Sequence, residues 1–548
     1  MHIIIPMSGI GKRFIDAGYT LPKPLIEVDG QPIIEHVCNL FPEENKFTFI
    51  CNSNHLKNTN MREILIDIKP KANILEIPNH KKGPVYAVTL INDYIQDDEE
   101  VIVNYCDFGT YWDYNDFLYH TRKRNADGAI PAYKNFHPHM LGSTNYAFIK
   151  DKKQWAISVK EKESFTNNRM NEYASNGTYY FKRGFYVKKY FKKLIDNSIH
   201  IMDEFYVSLV YNLMLEDGLK VSLYNIQHML QWGTPSDLEE YKNWSRYFQA
   251  IIKDLYSYKP FQKTITLIPM AGRGKRFSDA GFKTPKPFID ISGKPMVIQA
   301  VNSNPISDKY IFVALKEHIK NYSLKYFLDK EFSNYKLLGI SSVTQGQAIT
   351  CSKGLAGLNE EDSLLITASD NAIIYDTEKY QNLISDKTTD GIIFTFRNNI
   401  SSRKNPHMFG WVKLDENGNA IGVSVKKPIS ATTFNDHAIS GTFYFKKIKY
   451  FNEALVNLMN KKIQVNNEYY VDSMMGELIK LGYKIKIFEV EHYISWGTPE
   501  DYNTYIYWQS FFHKSLWHPY YIYNDLTINK DKIDELENKI TYFKQDYR

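Results

Sequence analysis

The sequence has few cysteines and no long apolar run. Its 548 residues include four cysteines, at positions 38, 51, 106 and 351, and none has a partner at the Cys-x-x-Cys spacing of metal and redox sites. We therefore expect free core thiols in a reducing compartment. The chain opens with a strand-like run instead of a charged leader, and no 18-residue apolar stretch could cross a bilayer. These absences predict a cytoplasmic protein without a membrane span.

The sequence also lacks a strong charge of one sign. Its 67 basic and 62 acidic residues leave a net charge of +5, and no Lys/Arg run resembles a nucleic-acid-binding arm. The apolar share of 43% and the charged share of 24% are typical of a globular protein. We expect no nucleic-acid partner, although small anionic substrates fit the balance. The length predicts more than one domain.

One stretch occurs twice in the chain. Residues 5–14 have the sequence IPMSGIGKRF, with LPKP at 21–24, and residues 268–277 have IPMAGRGKRF, with TPKP at 284–287. Each copy follows an apolar, β-prone run, so its glycines lie where a buried strand ends. Glycine lets backbone N–H groups approach an anion closely. Neither the Walker spacing nor Gly-x-Gly-x-x-Gly is present, so this is a different kind of phosphate loop.

Cations accompany both loops. Arg13 and Arg276 follow the glycines, and a guanidinium suits phosphate because its planar fork donates two parallel hydrogen bonds. Lys23 and Lys286 each lie between two prolines, which hold the lysine on a stiff, extended backbone. A lone Gly-x-Gly is usually only a turn, but the whole string at the head of each half favours a phosphate site.

These strings resemble the signature of the sugar-phosphate nucleotidyltransferases, a Gly-rich loop ending in Gly-x-Arg and followed by Lys-Pro. The resemblance implies catalytic roles for Arg13, Lys23, Arg276 and Lys286. It implies nucleotide binding by ten loop residues: Met7, Ser8, Gly9, Gly11, Lys12, Met270, Ala271, Gly272, Gly274 and Lys275. Related tandem domains occur in capsule and surface-polysaccharide synthesis.

The two halves keep step along the chain. Met7 and Met270 stand 263 positions apart, and the same offset joins Gly83 to Gly346 and Asp107 to Asp370. A constant offset over so long a stretch indicates an internal duplication. The strand-helix rhythm predicts parallel strands joined by right-handed crossovers. We therefore predict an α/β protein with two tandem nucleotidyltransferase domains, residues 1–257 and 258–548. Each is a mostly parallel, Rossmann-like (GT-A-like) sheet flanked by helices, and residues 527–548 form a polar, helical tail.

Asp107 and Asp370 follow buried strands at the edge where open α/β sheets bind ligands. A carboxylate there suits Mg²⁺, which keeps waters and binds substrate phosphates, and the resemblance assigns the same metal role. A strand-end aspartate that only caps a loop is the plainer interpretation.

The family's second metal carboxylate precedes its Gly-Thr-Pro segment, where this chain has Gln231 and Ser495. The metal is therefore expected to have one aspartate and phosphates as ligands, or help from Asp113 and Asp376.

The resemblance also implies the residues that recognise the two substrates. Its base-reading segment, Gln-Gly-x-Ala, matches Gln345 and Gly346, whereas the first half keeps only the glycine, Gly83, and has a proline at position 84. The sugar-phosphate side is assigned to two lysines and to repeated Gly and Glu positions: Lys162, Gly177, Glu204, Lys427, Gly441 and Glu468.

The function expected from this resemblance is Mg²⁺-dependent transfer of a nucleotidyl group from a nucleoside triphosphate to a sugar or alditol phosphate, with release of pyrophosphate. The partners are then these two substrates, and a homo-oligomer is left open. One alternative is a GT-A glycosyltransferase, although the Asp-x-Asp of that class is missing after Asp107 and Asp370. Another is an active half supported by an inert binding or scaffold half, and the first half departs more from the pattern. The different base and acceptor segments predict different substrates for the two halves.

Overall fold

The computed structural model describes residues 1–252 and 261–515. Their contacts divide the chain into unit 1, Met1–Ser245, and unit 2, which starts at Arg246. The domain boundary predicted after residue 257 and the helical tail predicted for residues 527–548 lie outside the described residues. No helix in the described ranges is both long and apolar enough to span a membrane.

Unit 1 alternates strands and helices along the chain. Its strands are β1 (His2–Met7), β2 (Glu27–Val28), β3 (Gln31–Pro32), β4 (Lys46–Asn52), β5 (Asn73–Ile77), β6 (Val101–Asn104), β7 (Phe108–Tyr111), β8 (Gly128–Tyr133), β9 (Ala147–Lys152), β10 (Trp155–Glu161), β11 (Tyr173–Ser175), β12 (Thr178–Phe181), β13 (Val221–Asn225) and β14 (His228–Gln231). Its helices are α1 (Lys12–Asp16), α2 (Ile33–Cys38), α3 (Ser53–Asn58), α4 (Met61–Ile68), α5 (Gly83–Thr89), α6 (Tyr114–Lys123), α7 (Gly184–Asp196), α8 (Val207–Glu216) and α9 (Pro235–Ile252), the last of which runs past the division.

Unit 2 repeats this succession. Its strands are β15 (Phe261–Pro269), β16 (Asp290–Ile291), β17 (Lys294–Pro295), β18 (Ser307–Leu315), β19 (Tyr335–Ile340), β20 (Ser363–Ile366), β21 (Asn371–Ile374), β22 (Gly391–Phe396), β23 (Gly410–Leu414), β24 (Ala420–Val425), β25 (His437–Phe445), β26 (Ile485–Glu489) and β27 (His492–Ser495). Its helices are α10 (Lys275–Asp279), α11 (Met296–Asn302), α12 (Lys316–Asn321), α13 (Leu324–Glu331), α14 (Gln347–Leu355), α15 (Thr377–Ser385), α16 (Ile400–Lys404), α17 (Ile448–Asn460), α18 (Val471–Lys480) and α19 (Pro499–Ser515).

The main sheet of unit 1 has the order β11-β9-β10-β13-β8-β12-β6-β1-β4-β5. The part from β6 to β5 is parallel, and its central strand β1 has three isoleucines without any solvent exposure. Such continuous apolar strands are typical of parallel sheets covered on both faces. The phosphate loop therefore leaves the sheet at the carboxyl end of this buried strand.

The remaining part of the sheet is largely antiparallel. Strand β12 runs against β6 and β8, and the hairpin β9–β10 continues the sheet beyond it. Unit 2 has the matching order β19-β18-β15-β20-β25-β22-β26, with the hairpin β23–β24 paired to β25. The predicted α/β class is confirmed, and the sheets are mixed because hairpins, which need no crossover helix, build the half away from the loop.

Helices with one apolar face cover each sheet. In α7 the buried residues Val187, Phe191 and Leu194 recur at helical spacing, and in α17 Phe451 and Leu458 lie on the corresponding buried face. These side chains belong to the apolar cores that fill the space between the sheets and their helices. Burial of such a face stabilises a helix more than its intrinsic propensity does.

Candidate active site

A glycine in the left-handed conformation ends each phosphate loop and begins the following helix. Gly11 has φ +67° before α1, and Gly274 has φ +62° before α10. A Cβ atom on Gly274 would lie 2.8 Å from the Cβ of Lys286, so only glycine lets the loop approach that lysine so closely. The loop and the Pro-Lys-Pro segment thus form one packed structure.

A lysine-aspartate ion pair joins the Pro-Lys-Pro segment to the aspartate that follows β6 or β20 in both units. Lys23 Nζ donates to Asp107 Oδ2 at 2.7 Å, and Lys286 Nζ donates to Asp370 Oδ2 at 2.6 Å. All four side chains are half-buried. Burial acts to lower the pKa of Lys23, but the nearby Asp107 carboxylate outweighs that effect and the pKa lies above its usual value. Residues 84 positions apart therefore meet in each unit, as the resemblance implies.

A small antiparallel ribbon brings the Gly-Thr-Pro segment to the aspartate. Strand β7 pairs with β14, and β21 pairs with β27. The Trp232 N–H donates to the Asp107 carbonyl at 3.1 Å, and Trp496 N–H does the same to Asp370 at 2.9 Å. A Cβ on Gly233 would lie 3.0 Å from Asp107 Oδ2, so the glycine keeps space beside the carboxylate.

Two cavities of unit 1, about 630 and 260 Å³, share several lining residues and adjoin at Lys23 and Asp107. These volumes suit a nucleotide-sized ligand. The structure gathers all the predicted site residues of this unit along one or both cavities: Met7, Ser8, Gly9, Gly11, Lys12, Arg13, Lys23, Gly83, Asp107, Lys162, Gly177 and Glu204. Their roles stay predictions.

The segments predicted to recognise the base and the acceptor are hydrogen-bonded to each other in both units. Phe205 N–H donates to the carbonyl before Gly83 at 2.9 Å, and Tyr469 N–H donates to the carbonyl before Gly346 at 2.9 Å. A Cβ on either glycine would come within 2.7 or 2.5 Å of these nitrogen atoms, and both glycines have positive φ. The close approach explains why the glycine is kept where the neighbouring residues differ.

A lysine, a tyrosine and a glutamate meet at the acceptor end of unit 1. Lys162 Nζ donates to Tyr206 Oη at 2.6 Å, and Tyr206 Oη donates to Glu204. In unit 2, Tyr470 Oη donates to Glu468 Oε2 at 2.6 Å. Gly177 has φ +102° and lies beside the ring of Phe108, while Gly441 has φ +89° inside β25, where the pairing with β22 shifts register.

The structure places Lys426, not Lys427, in the position of Lys162. Lys162 and Lys426 both have positive φ, 58° and 54°, and both donate their N–H to the neighbouring strand of the hairpin at 3.0 Å. Lys426 Nζ also lies over the ring of Tyr470 at 5.0 Å, as Lys162 lies over its tyrosine at 4.6 Å. The side chain of Lys427 is exposed. The prediction of Lys427 followed the Lys-Pro letters, whereas the hairpin register decides the position.

A carboxyl that the sequence analysis missed lies next to this lysine in each unit, buried in unit 1 and half-buried in unit 2. Glu161 accepts a hydrogen bond from Ser208 Oγ at 2.6 Å, and burial raises its pKa to about 7. Unit 2 has Val425 in place of this glutamate and Asp472 in place of the serine, and burial raises the pKa of Asp472 to about 6. A Cβ on Gly410 would lie 2.2 Å from Asp472 Oδ1, so glycine makes room for the transposed carboxyl. Alignment of the two repeats shows the glutamate replaced by valine and the serine replaced by aspartate, but the sequence does not show that these two positions are in contact.

Asp113 and Asp376, which the sequence offers as additional metal ligands, stand at the N-termini of helices. Asp113 Oδ1 accepts from the N–H of Asp116 at 2.9 Å, and Asp376 Oδ1 accepts from that of Lys379 at 3.0 Å. Each aspartate therefore caps a helix. Strand β7 separates Asp113 from Asp107 along the chain, and β21 separates Asp376 from Asp370.

A second carboxylate in unit 2 comes from the first turn of α19. Asp501 Oδ2 and Asp370 Oδ2 lie 3.8 and 3.9 Å from the position of a Cβ on Gly497, so both carboxylates are close to this glycine. Burial raises the pKa of Asp501, which also accepts from Ser495 Oγ at 3.0 Å. Within residues 1–252 and 261–515, no three His, Cys, Asp or Glu side chains group as a metal site. Such sparse carboxylates fit Mg²⁺, which completes its shell with water and phosphate oxygens.

The sequence matches the family model of nucleotidyl transferases over residues 3–215 and 265–484. The chain therefore belongs to the nucleotidyl transferase family and contains its domain twice. A search of curated proteins gives no match.

Two solved structures are similar to one half of the chain. A nucleoside-diphosphate-sugar pyrophosphorylase from Vibrio cholerae RC9 is 22% identical, with a TM-score of 0.37, and the match covers 44% of this chain and 99% of that one. The inositol-1-phosphate CTP transferase from T. maritima is 12% identical, with a TM-score of 0.36, over 46% of this chain and 97% of that one.

Proposed function

We propose that each unit transfers a nucleotidyl group from a nucleoside triphosphate to a sugar phosphate or alditol phosphate, with Mg²⁺ as cofactor. The product is an activated nucleotide-sugar precursor for capsule or surface polysaccharide. The observation that carries the proposal is the lysine-aspartate pair beside each phosphate loop, at 2.7 Å in unit 1 and 2.6 Å in unit 2. Membership of the nucleotidyl transferase family supports the type of reaction.

In this reaction an acceptor phosphate oxygen attacks the α-phosphorus of the triphosphate. The new P–O bond forms as the bond to the β-phosphate oxygen breaks, and pyrophosphate leaves with that electron pair. No covalent enzyme intermediate is required, so the protein contributes orientation and charge stabilisation. Arg13 and Arg276 bind the phosphates that leave, and Lys23 and Lys286 bind the α-phosphate.

Asp107 and Asp370 would hold the metal, and Mg²⁺ bound there supplies positive charge to the phosphates. The carboxylates are half-buried at the edge of the phosphate loop, and a glycine keeps space beside Asp107. Lys162, which lines the larger cavity of unit 1, supplies a cation for the acceptor phosphate, and Lys426 has the same position in unit 2. The larger cavity of unit 1 is thus lined by cations of the phosphate loop and by Lys162, which suits two anionic substrates.

The test is pyrophosphate release by the full-length protein across the four common triphosphates and several sugar and alditol phosphates, with Mg²⁺. We expect release that requires both substrates and is abolished by Asp107→Ala combined with Asp370→Ala. Absence of release with every pair would overturn the proposal. If one half is inert, the single variant that inactivates the other half has no activity with any substrate pair. Comparing the two single variants therefore identifies an inert half.

A further inference from the structure

A polar cluster lies at one end of the unit 1 cavity, formed by Ser8, Asn52, Asn79 and His80. Ser8 Oγ is 3.1 Å from His80 Nε2, and Asn52 Nδ2 donates to the Ser8 carbonyl at 2.9 Å. Asn52 Nδ2 also lies 3.4 Å from Asn79 Oδ1. Ser8 is buried, yet it and His80 both line the 260 Å³ cavity. The cluster therefore fixes a serine hydroxyl at the cavity wall.

The hydrogen bonds of His80 determine what Ser8 can offer to a ligand. Lys82 N–H donates to His80 Nδ1 at 3.2 Å, so we infer that the neutral ring carries its proton on Nε2 and donates it to Ser8 Oγ. Burial and the charge of Lys82 lower the pKa of His80, which favours this neutral form. The ring also packs edge-on against Tyr86 at 5.0 Å. Ser8 thus accepts from His80 and keeps its own proton to donate.

Unit 2 lacks the whole cluster. The constant offset places Ala271, Leu315, Ser342 and Val343 at the four positions. Strand registers support this alignment, because the cluster's Asn52 pairs with Ile77 just as Leu315 pairs with Ile340, both across parallel strands. Ala271 and Leu315 are buried apolar residues, so the hydroxyl of Ser8 and the amide of Asn52 have no counterpart in unit 2.

The cluster links the phosphate loop to the segment predicted to recognise the base, because Ser8 belongs to the loop and His80 lies three residues before Gly83. The loop cations and the Lys23–Asp107 pair occupy the phosphate end of the site in the proposed function. The remaining wall of the smaller cavity includes Ser8, His80, Gly83 and Pro84. Pro84 has no N–H and no polar side-chain atom, so it donates no hydrogen bond to a base. Tyr105 and Tyr206 also line this cavity, but Tyr105 Oη accepts from the Val207 N–H and Tyr206 Oη donates to Glu204, whereas the Ser8 hydroxyl keeps its proton for a ligand.

We propose that Ser8, oriented by His80, selects the nucleobase in unit 1 by donating a hydrogen bond to an acceptor atom on the base edge. Unit 2, which has alanine and valine at these positions, then ranks the nucleoside triphosphates differently. The inference rests on the proposed function of the same site. Ser8 is the contact residue, and His80 is a positioning residue that acts through it.

Hydrogen–deuterium exchange of the full-length protein can follow each site separately. Titrating each of the four common triphosphates with Mg²⁺ should protect peptides covering residues 5–14 and 79–90 in unit 1. Protection of peptides covering residues 268–277 and 342–353 reports binding in unit 2. We expect the two sets to give different orders of affinity. Identical orders in the two units would overturn the inference, while no protection by any triphosphate would overturn the proposed function itself.

The variants separate base selection from a general structural role. Ser8→Ala and His80→Val should each weaken the preferred triphosphate of unit 1 about tenfold, the effect of one hydrogen bond, and flatten its order of preference. The double variant should lose no more than Ser8→Ala alone, because His80 acts through Ser8. His120→Val is the matched control, since it removes a comparable bond, His120 Nε2 to Ser222 Oγ at 3.3 Å, from residues outside both cavities.

The opposite exchange tests sufficiency. Ala271→Ser combined with Val343→His should shift the order of unit 2 towards that of unit 1. Equal weakening of all four triphosphates by Ser8→Ala and His80→Val would indicate a structural role and overturn the inference. Additive losses in the double variant would equally overturn the part assigned to His80.

Discussion

At the scale of single residues, the lysine of the lysine-aspartate pair is proposed to bind the α-phosphate. With Asp107→Ala present to silence unit 1, Lys286→Met should lower the remaining rate about a hundredfold, because a preorganised charge aimed at the α-phosphate is lost. Pyrophosphate release measures this. The matched control is Lys294→Met, which breaks a surface ion pair with Glu331 at 2.9 Å and should leave the rate unchanged. Equal rates in the two variants would contradict the role of Lys286.

Glu161 makes the stability of unit 1 depend on pH. Burial raises its pKa to about 7, above the unfolded value, so its contribution is complete below about pH 4.5 and is lost as pH rises through 7. Glu161→Gln cannot ionise and should avoid this loss, which amounts to about 1–3 kcal/mol between pH 5 and 8. Urea unfolding across that range measures the difference.

The control for this prediction is Glu163→Gln. Glu163 is exposed and forms only a surface ion pair with Lys160, so its substitution should leave the pH dependence of unfolding unchanged. If Glu161→Gln follows the wild-type profile in parallel, the raised pKa is wrong.

For single residues, the sequence predicts which types of side chain form the candidate site better than it predicts their exact positions in the fold. The loop glycines, Lys23 and Asp107 follow from a repeated string, because backbone approach and phosphate charge demand specific residues. The residue equivalent to Lys162 is Lys426, one position before the predicted Lys427, since hairpin register is set by cross-strand pairing that the Lys-Pro sequence does not encode. The carboxyl of Glu161 or Asp472 was not predicted, because packing between a strand and a helix, α8 or α18, defines its position.

At the scale of secondary-structure elements, Gly346 before α14 allows this segment to pack closely against Tyr469. Gly346→Ala should destabilise unit 2 and weaken triphosphate binding there, because its Cβ would lie 2.5 Å from Tyr469 N at a φ of +117°. Gly357→Ala is the matched control, with φ +80° but nothing within 4 Å. Its cost reflects backbone strain alone, about 1 kcal/mol.

Thermal unfolding and triphosphate titration of both variants test this prediction. Gly346→Ala should lose more stability than Gly357→Ala, and only the former should lose affinity. Equal losses in both variants would show that the contact with Tyr469 contributes nothing.

Element order was predictable where periodicity is strong. The apolar strand β1 and the alternating helices follow from residue spacing, and so does the crossover connection of parallel strands. The antiparallel half was not predicted, because the short strands of β9–β10 and β23–β24 alternate too weakly to distinguish a hairpin from a loop. Asp113 and Asp376 illustrate the same limit, since an aspartate that caps a helix and one that binds a metal look alike in sequence.

At the scale of the whole molecule, we expect two autonomous folding units. Each has its own sheet, helices and apolar core, and each is long enough to fold alone. Fragments 1–257 and 258–548, expressed separately, should each unfold in one cooperative transition and bind a triphosphate. Calorimetry and titration measure both properties. If neither fragment unfolds cooperatively, the two-domain interpretation is wrong.

The cavities of unit 1 take their lining from Pro6 through Gly233, all upstream of the second loop at residues 268–277. On the ribosome, every group of the first site is therefore synthesised before that second loop. The first half of a growing chain can close its site while the second is still being translated. A premature stop anywhere beyond the second loop leaves the complete residue set of the first site in the product. Damage to the message thus affects the two candidate sites unequally, and the upstream one is the better protected.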